Sequence, residues 1–235
     1  MKTLKIIAAA LLFTGFCLTG CRQKTQEPSS PEVLQAEHLE IDSVQKIVAQ
    51  TRQSYKLMND DTLLKKLADQ SKRKKEPFNS LAYRELGSRK TVKPANLVLL
   101  IHQLNKGEAL LPLLLLRSLN DKAYTAVPIE IKANILTDAL QQSKTFNVWG
   151  LPGLYPEEAS KALIACDTSA VPALKRMLSE TRPAPLYGSK ESMVYQRYKL
   201  RLCDYALYFI EEIRGNKNFV MPLTIPEREA LISKM

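Results

Sequence analysis

The segment 110–116 is apolar at every position, and it constrains the fold more than any other part of the sequence. All of its residues are leucine except Pro112, so no polar stripe is available to face water. A helix that is apolar on every side has to lie at the centre of a domain. We therefore expect this segment to form the central helix of a globular core.

A second helix start repeats the same pattern. Leu111-Pro112-Leu113-Leu114 matches Val171-Pro172-Ala173-Leu174 at a constant offset, and Ile131-Lys132 corresponds to Leu200-Arg201 in the helix that follows each. Two matches in the same order along the chain indicate an internal repeat, here with an irregular period. The sequence predicts two related helical units, at about 94–142 and 155–215, preceded by a degenerate third unit at about 62–88.

The unit at 155–215 shows most clearly how its helices are delimited. Pro156 and Pro172 stand where the first turn of a helix tolerates proline. The segment 182–188 is too rich in proline and glycine for regular structure. A long third helix is then predicted from about 192 to 214, because Gly215 is a suitable residue just beyond a helix end. The chain is therefore predicted to be all-α, with residues 216–235 as a C-terminal tail.

Two segments of this unit resemble HEAT repeats. Residues 169–178 resemble the first helix of a repeat, and residues 200–207 resemble the second, with Arg201, Asp204 and Ala206 near positions that this family favours. The resemblance implies an irregular HEAT-like α-solenoid of antiparallel helix pairs within a single domain at 32–235. In this family such a fold is commonly a scaffold or a binding surface. The loop 182–188 departs from the pattern, because it makes the connection longer than a standard repeat allows.

Residues 1–20 have the features of an export signal. Lys2 and Lys5 precede a short apolar run, which ends in Leu18-Thr19-Gly20-Cys21. This motif resembles the lipobox of bacterial lipoproteins, and the resemblance implies that the peptide is cleaved before Cys21 and that Cys21 carries acyl chains such as palmitate. Several acyl chains hold a protein stably at a bilayer. The alternative is an ordinary secretory signal in which Cys21 is incidental.

The residues after Cys21 suggest a tether followed by a long helix. Residues 21–31 are polar and contain two prolines, which is typical of a flexible linker. Arg22 is not the aspartate that retains lipoproteins at the inner membrane of enteric-type bacteria, so the resemblance favours the outer membrane within the cell envelope. An amphipathic helix is predicted at 32–58, because Leu34, Ile41, Val48 and Tyr55 recur every seven residues.

The positive charge of the chain is concentrated in residues 65–93. This segment has ten basic and three acidic residues, whereas the whole chain has a net charge of +10. We expect the candidate contacts with an anionic partner to be Lys72, Arg73, Lys74, Lys75, Arg89 and Lys90. Anionic lipid, lipopolysaccharide or an acidic protein are suitable partners, since each basic residue near an anionic membrane contributes about 1 kcal/mol. The alternative is a solvated charged loop, and an exported protein is not expected to meet nucleic acid.

Three further expectations concern the remaining chemistry. Cys166 and Cys203 lie on apolar helix faces of one unit, so they form either a disulfide or two buried thiols. Trp149 and Tyr155 are expected to fold back onto the core, and their loop is expected to lie apart from the loop 182–188. The two histidines are far apart, and no phosphate-binding loop or metal-ligand spacing occurs in the sequence. We expect neither catalysis nor a cofactor.

These observations predict a membrane-anchored lipoprotein of the bacterial cell envelope that acts as a non-catalytic helical scaffold or protein-binding module. Two alternatives remain at this point. One is an envelope enzyme, such as a cell-wall hydrolase, with a site that the sequence does not reveal. The other is a binder of anionic glycolipid through residues 65–93.

Overall fold

The computed structural model describes residues 31–74, 76–216 and 218–235, and this part of the chain is mostly helical. It contains twelve α-helices and one hairpin of two very short antiparallel strands, which confirms the all-α prediction. The helices are α1 (Pro31–Lys56), α2 (Asp60–Lys72), α3 (Leu81–Gly87), α4 (Pro94–Gln103), α5 (Leu110–Leu119), α6 (Asp121–Ala126), α7 (Ile129–Gln142), α8 (Glu158–Ile164), α9 (Val171–Met177), α10 (Ser189–Tyr198), α11 (Leu202–Ile213) and α12 (Ile225–Ile232). The strands are β1 (Gly150–Leu151) and β2 (Tyr155–Pro156), with Leu151 opposite Tyr155.

The chain divides into two compact units, Met1–Leu57 and Met58–Met235. In the first unit α1 is a single helix of 26 residues, close to the predicted bounds of 32–58. The predicted signal peptide, the tether up to residue 30 and Cys21 lie outside the described residues. All further structural statements concern the second unit.

Helix α5 lies at the centre of the second unit, as its leucine content predicts. Leu113, Leu115 and Leu116 are completely buried, and Leu111 and Leu114 are nearly so. Helices α2, α3, α4, α6, α7 and α8 all contact α5. Burial of a leucine side chain contributes about 1.5–3 kcal/mol, so this helix is a major source of stability for the unit.

The two helix starts that match in sequence also match in structure. A 3-10 turn at Lys106–Ala109 runs directly into α5, and a 3-10 turn at Asp167–Ala170 runs directly into α9. Pro112 and Pro172 both fall within the first turn of their helices, where the missing N–H group has no partner to lose. Leu114 and Leu174, which correspond in the alignment, are both buried.

The long third helix predicted at 192–214 is wrong, because the chain forms two helices, α10 and α11, in this region. Lys199 has a left-handed backbone with φ of 48° and ends α10. Arg201 is then extended, and the segment around it pairs with the proline-rich loop: Ala184 N donates to Leu200 O at 2.9 Å, and Leu202 N donates to Arg182 O at 2.9 Å. The break lets this loop bond to the chain, so its backbone groups are not left unpaired.

The predicted C-terminal tail contains helix α12, which is joined to the core. Thr224 and Glu227 form a capping box at its start. Arg228 is completely buried, and its Nε lies 3.0 Å from Asp204 Oδ1 on α11, as an ion pair without hydrogen-bond geometry. Its other nitrogens donate to the carbonyl oxygens of Tyr198, Pro222 and Leu223 at 2.8–2.9 Å. The last helix is therefore part of the domain.

Candidate functional site

A cavity of about 130 Å³ opens among the end of α2, the 3-10 turn at Lys106–Ala109 and the end of α7. Arg73 and Lys74, two of the predicted anionic contacts, belong to its lining, together with Lys144 from the segment after α7. All three of these side chains are exposed. Two residues of the basic run, Arg73 and Lys74, thus border a pocket. Lys75 itself lies outside the described residues.

Two backbone features build this pocket. After α2 ends, Lys74 adopts a left-handed conformation with φ of 53°, and its N–H donates to Ser71 O at 2.8 Å. On the opposite side, the Gly107 N–H donates to Asp138 Oδ2 of α7 at 2.7 Å. A Cβ at Gly107 would lie 2.6 Å from Asp138 Oδ2 and 3.1 Å from the backbone nitrogen of Ala139. Glycine therefore allows the turn to approach α7 closely.

Two buried polar atoms in the pocket lining have no hydrogen-bond partner among the described residues. One is Ser71 Oγ, whose residue is only 2% exposed, and the other is Glu76 Oε2. The second oxygen of Glu76 accepts a hydrogen bond from the Thr145 hydroxyl. Burial raises the pKa of Glu76, and the hydrogen bond from Thr145 offsets this shift in part.

The remaining basic residues predicted as contacts differ in their solvent exposure and in their ion pairs. Lys72 and Lys90 are exposed. Arg89, by contrast, pairs with Asp60 and Glu85 at 2.9 Å and donates to Met58 O at 2.7 Å. These contacts tie the Arg89 guanidinium to other residues of the domain, and its contact with an anionic partner stays a prediction.

The prediction for Trp149 is confirmed, whereas that for the two loops is wrong. Trp149 is 1% exposed, and its Nε1 donates to Ser143 Oγ at 2.9 Å. The two loops, however, lie together: Phe146 N donates to Pro185 O at 3.0 Å, and Tyr187 N donates to Asn147 Oδ1 at 3.0 Å. The expectation that they lie apart assumed a regular solenoid, in which these turns occupy opposite edges.

The joined loops and the adjacent helix α10 carry several large apolar side chains that face solvent. Tyr155, which was expected on the core, is 36% exposed, and its hydroxyl donates to Glu191 Oε1 of α10 at 3.0 Å. Leu154, Tyr187 and Met193 are 58%, 63% and 67% exposed. We call these four residues, Leu154, Tyr155, Tyr187 and Met193, the loop surface. Tyrosine and methionine are enriched in protein interfaces, so this surface is a candidate binding site.

Cys166 and Cys203 are both buried and free, so of the two alternatives the structure has the pair of buried thiols and not the disulfide. Each thiol has another neighbour: Cys166 Sγ donates to Ala162 O at 3.3 Å, and Cys203 Sγ lies 3.7 Å from Asp204 Oδ1. Burial raises the pKa of both thiols to about 11, and nearby Asp204 adds to the shift of Cys203. Both sulfurs stay protonated at neutral pH and are poor nucleophiles.

Within residues 31–74, 76–216 and 218–235, no three His, Cys, Asp or Glu side chains are grouped in a way that would hold a metal ion. In the same part of the chain no helix has the length and apolar character needed to cross a bilayer. Comparisons with protein-family models, with curated proteins and with solved structures find no match to this chain.

Reasoning from sequence missed Ser71, Glu76 and Thr145. Glu76 directly follows the basic run, and its sequence context is that of an ordinary surface acid. Its pocket is formed only when α7, which ends 66 residues later at Gln142, packs beside the end of α2. No spacing along the sequence indicates that arrangement.

Proposed function

We propose that this chain is a lipid-anchored protein of the bacterial cell envelope whose helical domain is a non-catalytic scaffold that binds a protein partner. The motif Leu18-Thr19-Gly20-Cys21 supports the anchor, with Cys21 as the acylated residue and the outer membrane as the favoured location. The residues that follow Cys21 are polar and would keep the domain near the bilayer without fixing its orientation.

The helical domain is proposed to be an irregular HEAT-like solenoid. This part of the proposal is supported by the two matching starts, in which a 3-10 turn leads into α5 and α9 with proline in the first helical turn. The resemblance at Arg201 and Asp204 also has a structural counterpart, because these two side chains form an ion pair at 3.2 Å. The joined loops at 146–156 and 182–188 make the repeat irregular.

The loop surface is the observation that supports protein binding most directly. Four large apolar or aromatic side chains are exposed on segments that are hydrogen-bonded to each other, through Tyr155 with Glu191 and through Asn147 with Tyr187. In the first of these loops, the buried Trp149 packs edge-on against Phe209, with ring centroids 6.1 Å apart. An aromatic patch on a well-packed base is pre-organised, which lowers the entropic cost of binding.

Photo-crosslinking in intact cells tests this binding site. A photoreactive residue at Tyr187 or Met193 should give a discrete crosslinked protein band, and Tyr155→Ser should reduce it. Leu99 on α4 is the matched control, because it is also a large apolar residue with 57% exposure. The same band from Leu99, or no band from either loop position, would contradict the proposal.

The basic segment supports a second candidate function, binding of an anionic glycolipid or membrane surface. Lys72, Arg73 and Lys74 are consecutive and exposed, and Lys90 is exposed as well. Replacing residues 72–75 with glutamine should weaken co-sedimentation with anionic vesicles at low salt. The difference should disappear at high salt, because exposed charges are screened beyond about 8 Å at physiological ionic strength.

A matched variant controls for total charge in the vesicle experiment. It carries glutamine at four exposed basic positions elsewhere, Lys106, Lys122, Arg197 and Lys234. If the two variants lose vesicle binding equally, net charge alone explains the interaction and the basic segment is not a specific site.

A further inference from the structure

Two residues that line the pocket beside the basic run each have a polar side-chain atom that no described residue pairs. Ser71 Oγ and Glu76 Oε2 are both buried, and neither has a hydrogen-bond partner among the described residues. A buried polar group without a partner costs stability, and nearly all such groups in folded proteins are paired. Both residues belong to the lining of one cavity, so a single molecule bound there can supply both missing hydrogen bonds.

The charges around the pocket indicate what that molecule carries. Glu76 places one carboxyl group inside, and an ammonium group is the partner that an ionised carboxylate binds best. Arg73, Lys74 and Lys144 are exposed members of the same lining and favour an anion, while Glu108 is the only other acid there. A ligand with a single charge would satisfy one of these two sets and be repelled by the other.

The remaining lining sets the size and polarity of the ligand. Leu110, Leu111, Ala139 and Val148 provide an apolar wall. A cavity of roughly 150 Å³ holds a molecule of the size of benzene, and this one measures about 130 Å³. The body of the ligand is therefore short and apolar, with no more than a few carbon atoms.

We propose that this pocket binds a small zwitterionic α-amino acid. Its ammonium group donates to Glu76 Oε2 and Ser71 Oγ, its carboxylate faces Arg73, Lys74 and Lys144, and its side chain lies against the apolar wall. The proposal is independent of the loop surface and of the lipid anchor.

The pH dependence of binding distinguishes this ligand from a simple carboxylate. An ammonium group binds the ionised form of Glu76, so affinity should fall as the pH is lowered through the raised pKa of Glu76. A ligand that carries only a carboxylate would instead share a proton with Glu76, and its affinity would rise on acidification. Between about pH 5 and pH 7 alanine keeps both its charges. Arg73, Lys74 and Lys144 are the basic groups of the lining. Glu108 is the other titratable group in the lining.

Calorimetric titration of the full-length protein in detergent with alanine, propionate and ethylamine tests the proposal. Alanine should bind, and propionate and ethylamine, each lacking one charge, should bind at least about tenfold more weakly, as expected for loss of a charged hydrogen bond. Glu76→Gln should weaken alanine binding by roughly tenfold or more, and Ser71→Ala by roughly threefold. Glu130→Gln is the matched control, because Glu130 is an exposed acid outside the pocket lining, and it should leave both the affinity and its pH profile nearly unchanged.

Three results would overturn the proposal: no binding of alanine to the unmodified protein, equal binding of alanine and propionate, or tighter binding of alanine at pH 5 than at pH 7. These measurements on the unmodified protein decide the matter even if a variant fails to fold. Unchanged alanine binding by a folded Glu76→Gln variant would also contradict it, since Glu76 would then not contact the ligand.

Discussion

At the scale of single residues, the buried charges of Asp204 and Arg228 are the most consequential feature of the domain. Both residues are completely inaccessible to solvent. Asp204 also receives a hydrogen bond from the Arg201 N–H at 2.9 Å, and Arg228 is held by three backbone carbonyl groups. Arg201 in turn pairs with Glu229 of α12 at 2.8 Å. Burying such a network costs desolvation free energy, but removing one of its residues costs more, because it leaves a buried charge without its partner.

Arg228→Met should therefore lower the free energy of unfolding by about 3–5 kcal/mol, because it leaves part of the Asp204 charge uncompensated in the interior. Urea unfolding followed by circular dichroism measures this change. Arg214→Met is the control, since Arg214 pairs with Glu211 at a more exposed position and should cost no more than about 1 kcal/mol. If both variants lose the same free energy of unfolding, burial of the Asp204–Arg228 pair does not increase its contribution to stability.

Glu76, unlike the Asp204–Arg228 pair, lowers the stability of the folded protein when it is ionised. Because burial raises its pKa in the folded state, the folded protein holds the proton more tightly than the unfolded chain. This contribution stabilises the protein at low pH and is lost as the pH rises through the folded-state pKa. Glu76→Gln keeps an oxygen to accept the hydrogen bond from Thr145 and removes the charge.

We expect Glu76→Gln to be more stable than the unmodified protein at pH 7 and nearly equal to it at pH 4, as measured by urea unfolding at the two pH values. Glu108→Gln should not show this pattern. A Glu76→Gln variant that is less stable at pH 7 would show that the ionised carboxylate has a stabilising partner in the pocket.

At the scale of elements, the sequence predicts a helix best where its composition allows only one environment, as for a segment that is entirely apolar. The leucine run at 110–116 has to be buried, and α5 is the central helix. The break between α10 and α11 has no such signal, because Lys199 adopts a left-handed backbone that sequence gives no reason to expect. Helix α12 could have been predicted, since Thr224 and Glu227 have the spacing of a capping box and Pro226 falls in the first turn.

Removal of α12 tests whether the C-terminal residues are an element of the domain. A chain that ends at Met221 lacks Arg228 and Glu229, so it should lose at least about 3 kcal/mol of unfolding free energy. A chain that ends at Ile232 keeps both residues and should lose less than about 1 kcal/mol. If the two truncated chains have the same urea midpoint, the ion pairs to α12 do not stabilise the core.

At the scale of the whole molecule, contacts between distant segments decide where candidate sites form. The loop surface exists because the segment near Asn147 bonds to the loop near Tyr187, 40 residues later. The pocket exists because Thr145 reaches Glu76 across 69 residues. Neither pairing follows from helix periodicity, which reports only on neighbours within a few turns. The fold class was therefore predictable from the sequence, whereas the geometry of both candidate sites was not.

The proposed lipid anchor would determine where these surfaces act, because a partner in the envelope is accessible only to an exported protein and an anchor would hold the domain near the membrane. Metabolic labelling of cells with radioactive palmitate, followed by isolation of the protein, tests the anchor most directly. The unmodified chain should take up label and sediment with membranes, whereas Cys21→Ala should take up none and appear as uncleaved or soluble protein. Cys166→Ala is the matched control and should be labelled like the unmodified chain, because Cys166 is buried. Undiminished labelling of Cys21→Ala would contradict attachment through Cys21.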